Sequence, residues 1–163
     1  MRILSVTAQK PCSTGSGVYL TEVVKALAKE GHTQTVLAGI ARGEQMDMPD
    51  GVKAYPVYFE SEGLPYPVVG MSDEMPYIST RYKDMTEDMT VQFRNAFLAV
   101  LDEVIEREDP ELILCHHLYY SDSTGAGALS GKESIWILSQ YGFETDEKYV
   151  ISTGIYTQSD SAS

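Results

Sequence analysis

The residues of this sequence best suited to chemistry are a small-residue trio, Gly15-Ser16-Gly17, and two adjacent imidazoles, His116-His117. Amides at the start of a helix have no acceptor inside it, and the helix dipole adds partial positive charge there. A phosphate or another anion suits that position. His116 or His117, carried at the end of an apolar strand, can hydrogen-bond a sugar hydroxyl or a phosphate; the plainer alternative is one ring satisfying backbone and the other solvated. Asp73, beside Glu74, could accept from sugar hydroxyls or serve in acid and base work, against the plainer reading of a solvated loop. Arg81 and Lys83 could meet an anionic ligand. No residue is assigned to the bond-making step. The pair His116-His117 with Cys115 lacks the spaced ligands of a closed zinc site, and His32 falls at the far end of the first helix, so no metal site is expected.

The elements that must position these groups are legible in the pattern. An apolar run, Arg2 to Thr7, leads into the loop Pro11-Cys12-Ser13-Thr14-Gly15-Ser16-Gly17. Val18, Val23, Val24 and Leu27 then repeat at helical spacing to about Glu30, and Gly31 is the expected left-handed stop. A second strand is predicted over Gln34 to Ala38. Strand, glycine loop, helix, strand is the start of a βαβ unit with a parallel sheet, hence a Rossmann-like α/β fold with helices on both faces. Val52 to Phe59 reads as a third strand, with Pro56 marking an edge or a bulge. Residues 60 to 82, rich in Pro, Gly and Tyr, form a long loop, either functional or packed over the sheet edge. A helix from Thr86 to about Glu108 carries the apolar stripe Met89, Phe93, Phe97, Val100, Leu101, Val104, Ile105 and ends at Asp109-Pro110. Glu111 to Cys115 is a buried parallel strand that delivers the imidazoles to the carboxyl edge, where ligands bind in open α/β folds.

Beyond Tyr120 the character changes. Residues 121–131 are a Ser/Gly-rich linker or deletion junction. Residues 132–157 hold a short helix, Glu133 to Tyr141 with Trp136 as an anchor, and a strand, Tyr149 to Ser152, completing the domain that occupies 1–120. Residues 158–163 read as a disordered tail.

Composition bounds the function classes. At 163 residues and 43% hydrophobic, the chain can bury a core of its own. A net charge of -12 repels nucleic acid and anionic membrane, leaving room only for a local anion site built from amides. Ile3 to Val6 is too short to span a bilayer, and no other segment suggests a span. With no leader pattern at the start, the two cysteines, Cys12 and Cys115, read as reduced thiols in a cytoplasmic protein. A dinucleotide-dependent oxidoreductase is disfavoured, because Ser13 to Gly17 is not a full GxGxxG and no acidic residue ends the second strand at Ala38.

Several phrases in order resemble the opening of family 4 glycosyltransferases: Ser13-Thr14-Gly15-Ser16-Gly17-Val18-Tyr19-Leu20, then Leu27-Ala28-Lys29-Glu30-Gly31-His32, and later Asp109-Pro110-Glu111-Leu112-Ile113-Leu114-Cys115-His116-His117. Pro67 to Asp73 and Met75-Pro76-Tyr77 are similar to one branch of the same proteins. The likeness covers roughly residues 1 to 120. It implies one half of a GT-B fold, the acceptor-side domain of a retaining enzyme that moves a sugar from a nucleotide-sugar donor to an acceptor hydroxyl. By that likeness Gly15, Ser16 and Gly17 approach the donor diphosphate, while His116, His117 and Asp73 face the acceptor, a small molecule or glycan, or the transferred sugar. No bound cofactor is implied beyond the donor itself. The basic pair and paired glutamates of the donor-binding domain are absent, so this chain alone is expected to be inactive. Glu133 to Tyr156 is similar to a later family segment, as if a middle portion were missing. Two such chains could also pair through the exposed cleft face. The alternative reading is a non-catalytic Rossmann-like module that binds a small phosphorylated ligand or a partner chain.

Overall fold

A computed structural model describes residues 1–70 and 75–116 and the backbone of strand 150–153. The element order is β1 (Arg2–Thr7), α1 (Gly15–Lys29), β2 (Thr33–Ala41), β3 (Lys53–Phe59), β4 (Val69–Gly70), β5 (Thr80–Arg81), a short 3₁₀ turn (Tyr82–Asp84), α2 (Glu87–Glu108), β6 (Leu112–His116) and β7 (Val150–Thr153). Five strands form one sheet in the order β3-β2-β1-β6-β7, and β4 pairs with β5 apart from it. All pairings in the large sheet are parallel.

Side-chain alternation splits β2 between two cores. Val36 and Ala38 pack with Leu20 and Val24 of α1. Leu37 instead joins Leu4, Val6, Val57, Phe59, Ile113 and Cys115 in a cluster with Phe93, Phe97, Leu101 and Val104 of α2. Adjacent residues of one strand thus face different helices, so α1 and α2 cover opposite faces. The fold is a Rossmann-like α/β sheet.

The α2 face holds most of the aromatic mass. Phe59 is fully buried and meets Tyr66, Phe93 and Phe97 at ring separations of 5.8, 6.2 and 6.4 Å. The proline-rich stretch supplies part of this core: Tyr66 and Tyr82 are buried, and Tyr66 donates its hydroxyl to the Met89 carbonyl at 2.6 Å. Burial pushes the Tyr66 phenol up to about 12. In its described part this loop packs over the sheet edge. Pro56 sits in β3, the outermost strand, where a missing N–H is tolerated.

Three boundaries differ from the sequence reading. Helix α1 begins at Gly15 rather than Val18 because Thr14 caps it, its hydroxyl accepting from the Gly17 amide. β2 runs three residues past Ala38, to Ala41, paired with β3 all the way. β6 includes His116, which lies in register with Thr7. The helix expected over Glu133 to Tyr141 lies outside the described residues, as do His117 and Asp73.

Candidate functional site

The loop after β1 and the first turn of α1 form one hydrogen-bonded unit at the carboxyl edge of the sheet. Gln9 is buried, 2% exposed, and its Oε1 accepts from Ser16 Oγ at 2.9 Å and from Thr14 Oγ1 at 3.4 Å. Thr14 and Ser16 hydroxyls meet at 3.1 Å. The Gln9 Nε2 has no hydrogen-bond partner among the described residues. Thr14 satisfies the Gly17 amide at 3.0 Å, while Gly15 and Ser16 supply first-turn amides that have no acceptor within the helix.

The two glycines of the trio differ in what requires them. A Cβ at Gly15 would meet nothing within 4 Å, so that position opens outward. At Gly17 it would stand 2.8 Å from the Lys10 carbonyl oxygen and 2.9 Å from the Cys12 nitrogen. Gly17 is therefore demanded by the protein's own loop backbone. Cys12 adopts a left-handed φ of 61°, uncommon for a side-chain-bearing residue. Its Sγ lies 3.1 Å from Thr21 Oγ1, and Thr21 in turn donates to the Gly17 carbonyl. The loop is thus held from both ends.

His116 arrives at the same edge. Its register partner is Thr7, the residue at which β1 ends and the loop begins. Strand alternation puts Ile113 and Cys115 on the α2 face, so His116 faces α1. There its ring stands 6.3 Å from that of Tyr19, nearly edge to face at 61°. His116 is 3% exposed. Tyr19 itself is 53% exposed and forms the outer wall of this corner. Parallel pairing therefore gathers Gly15, Ser16, Gly17 and His116 at one rim. The positions of His117 and Asp73 fall outside the described residues.

Sequence reasoning missed two groups here. Gln9 carries no motif, and only its place immediately past a buried strand hints at a role. Lys10 and Glu44 form an ion pair at 2.6 Å that ties the loop to the turn after β2. The Lys10 ammonium holds the Glu44 carboxyl below its ordinary range, helped by the Ala41 amide.

His32 lies beside the chain's amino terminus, 3.2 Å from it, at the other end of the sheet. Among the described residues no cluster of His, Cys, Asp and Glu could hold a metal ion. Cys12 and Cys115 are both free thiols; burial pushes Cys115 up to about 12, which suits a core residue. No described helix is long and apolar enough to cross a membrane. No protein-family model matches the chain, and no curated protein matches it.

Proposed function

We propose that this chain is the acceptor-side domain of a retaining glycosyltransferase that moves a sugar from a nucleotide donor to an acceptor hydroxyl. The observation that supports the reading is the convergence of the α1 N-terminus and His116 at the carboxyl edge of a parallel sheet. In open α/β sheets that edge is where ligands bind. The Gly15 and Ser16 amides would neutralise charge on the donor diphosphate, with Gln9 bracing the hydroxyls of Thr14 and Ser16. His116, and His117 and Asp73 with it, would meet the acceptor or the transferred sugar. A donor-binding domain would face this rim and hold the nucleotide. The enzyme would work in the cytoplasm, with its two thiols reduced.

The reading divides labour, and binding measurements test the division. Inorganic phosphate at millimolar concentration should shift the backbone amide signals of Gly15 and Ser16 and the ring signals of His116. Nucleotide sugars should bind this chain no tighter than about 1 mM. Micromolar affinity for a nucleotide sugar would overturn the division, because this chain would then hold the donor itself. Tight binding of a small phosphorylated compound without a nucleotide would favour the non-catalytic module instead.

A further inference from the structure

A second feature of the carboxyl edge has no part in that reading. A cavity of about 450 Å³ opens between the ends of β2 and β3, lined by Arg42, Gly43, Glu44, Gln45, Tyr58 and Ser61. It is broadly open to solvent, so a ligand seated there keeps one face exposed. We infer that this cavity binds a sugar ring carrying one anionic group, phosphate or carboxylate, with Arg42 taking the anion and Tyr58 the ring.

Arg42 and Tyr58 are brought together by strand register. Ile40 pairs with Tyr58 and Ala41 with Phe59, and the Arg42 amide continues the ladder by donating to the Phe59 carbonyl at 3.0 Å. Tyr58 is 45% exposed, although its neighbours Val57 and Phe59 are buried. An open phenol ring beside polar groups offers a flat face to the C–H groups of a sugar. The far rim is preformed. Ser61 Oγ donates to the Tyr58 carbonyl at 2.7 Å, and the amides of Glu60 and Ser61 reach back to the carbonyls of Tyr66 and Leu64. Glu60, between them, holds a left-handed φ of 55°. A turn tied at this many points loses little entropy when a ligand docks.

Charge selects the anion. The Arg42 guanidinium forms no ion pair or hydrogen bond among the described residues. Glu44, the acidic group of the lining, is already matched by Lys10 at 2.6 Å. The lining therefore carries one unmatched positive charge on a chain whose net charge is -12. A planar guanidinium grips phosphate or carboxylate through paired N–H groups, a geometry a lysine does not offer. Because the net charge repels anions at a distance, the site should favour ligands with a single charged group over polyanions.

The test is titration of the full chain, followed by backbone amide NMR, with four probes: glucose 6-phosphate, glucuronate, glucose and inorganic phosphate. At least one charged sugar should bind and shift residues 42–45 and 58–61; which one binds tells phosphate from carboxylate. Arg42→Gln, at an exposed position, should weaken it by about tenfold or more. Tyr58→Leu should weaken it by about threefold to tenfold. Ser16→Ala, in the α1 loop, should leave it unchanged, which separates this site from the one proposed above. Equal binding of glucose would overturn the anion assignment, and inorganic phosphate binding as tightly as the sugar would overturn the role of the ring. An unchanged affinity in Arg42→Gln, or shifts confined to residues outside the cavity, would overturn the site.

Discussion

The two ends of the parallel sheet are built on different plans. At the amino end, charged groups close on one another: Arg2 bridges Asp109 at 2.9 Å and Glu111 at 3.5 Å, while Lys53 and Tyr55 converge on Glu108. At the carboxyl end, polar groups are only half used. Thr14 and Ser16 hold Gln9 by its oxygen alone, and the Arg42 guanidinium lines a cavity. Left-handed non-glycine backbone occurs at both ends, at Cys12 and Glu60 here and at Asp109 at the amino end. One end joins elements, and the other presents groups outward. That difference is expected of a sheet whose ligands bind at its carboxyl edge.

The strongest challenge to the carboxyl end is Gly17→Val. The new side chain has to displace backbone of Lys10 and Cys12, which cannot swing away as a flexible side chain would. A loss of about 2–4 kcal/mol is expected, read as a lower urea midpoint. Gly15→Ala, two residues earlier, meets open space and should be neutral or stabilising by up to about 1 kcal/mol. Equal damage at both positions would mean that the loop is not packed as described.

At the amino end the matching change is Glu108→Gln. The Glu108 side chain is 11% exposed and takes both Lys53 and the Tyr55 hydroxyl, the latter at 2.7 Å. Lys53 first, and then Tyr55, hold its carboxyl below the ordinary range, while the same contact raises the Tyr55 phenol. A carboxyl lowered by folding stabilises fully above its unfolded pKa and loses that contribution as pH falls through the folded value. The variant should therefore lose about 1 kcal/mol at neutral pH. Its stability should also fall less steeply than that of the parent below about pH 4. A parallel acid limb in both proteins would show that Glu108 contributes no such linkage.

Most of the scaffold could be read from the sequence because each of its elements announces itself locally. The stripe Met89, Phe93, Phe97, Leu101, Val104 has helical period, and Leu112 to Cys115 is short and continuously apolar, as a strand buried on both faces must be. Thr14 was visible but its role was not: small residues on either side make a cap resemble more loop, and α1 started three residues early. Of the candidate site, the residues that a sequence phrase marks are Gly15 to Gly17 and His116. Gln9 works through contacts with residues five and seven positions away across a turn. Arg42 and Tyr58 are neighbours through the β2–β3 register, which no local pattern encodes. For residues 60 to 82 the prolines and tyrosines leave two readings open, and the burial of Tyr66 and Tyr82 supports packing over the sheet edge in the described part.

Thr14→Val gives a smaller effect at the carboxyl end. It removes the hydroxyl that accepts from the Gly17 amide and donates toward Gln9. A cap of this kind contributes about 1 kcal/mol, measurable in thermal unfolding. Phosphate-induced shifts at Gly15 and Ser16 should weaken alongside, because the first turn frays. A stability loss with those shifts intact would separate the cap from the anion site.

The finest comparison sets one left-handed residue from each end against the other, Cys12 at φ 61° and Asp109 at φ 43°. Glycine at either position relieves about 1 kcal/mol of backbone strain but adds a similar amount of freedom to the unfolded chain. Cys12→Gly also loses the Sγ contact with Thr21. Asp109→Gly loses the ion pair between Arg2 and the Asp109 side chain, which is 87% exposed, so the pair contributes little. Both variants should therefore melt within about 3 °C of the parent. They should part in function: a freer residue 12 loosens the loop that Gly17 packs against and should weaken phosphate binding at the α1 amides. A freer residue 109 ends α2 at the opposite end of the sheet and should not. Equal phosphate binding in both variants would mean that the left-handed bend at Cys12 serves only to turn the chain, and the contrast between the two ends would lose its functional meaning there.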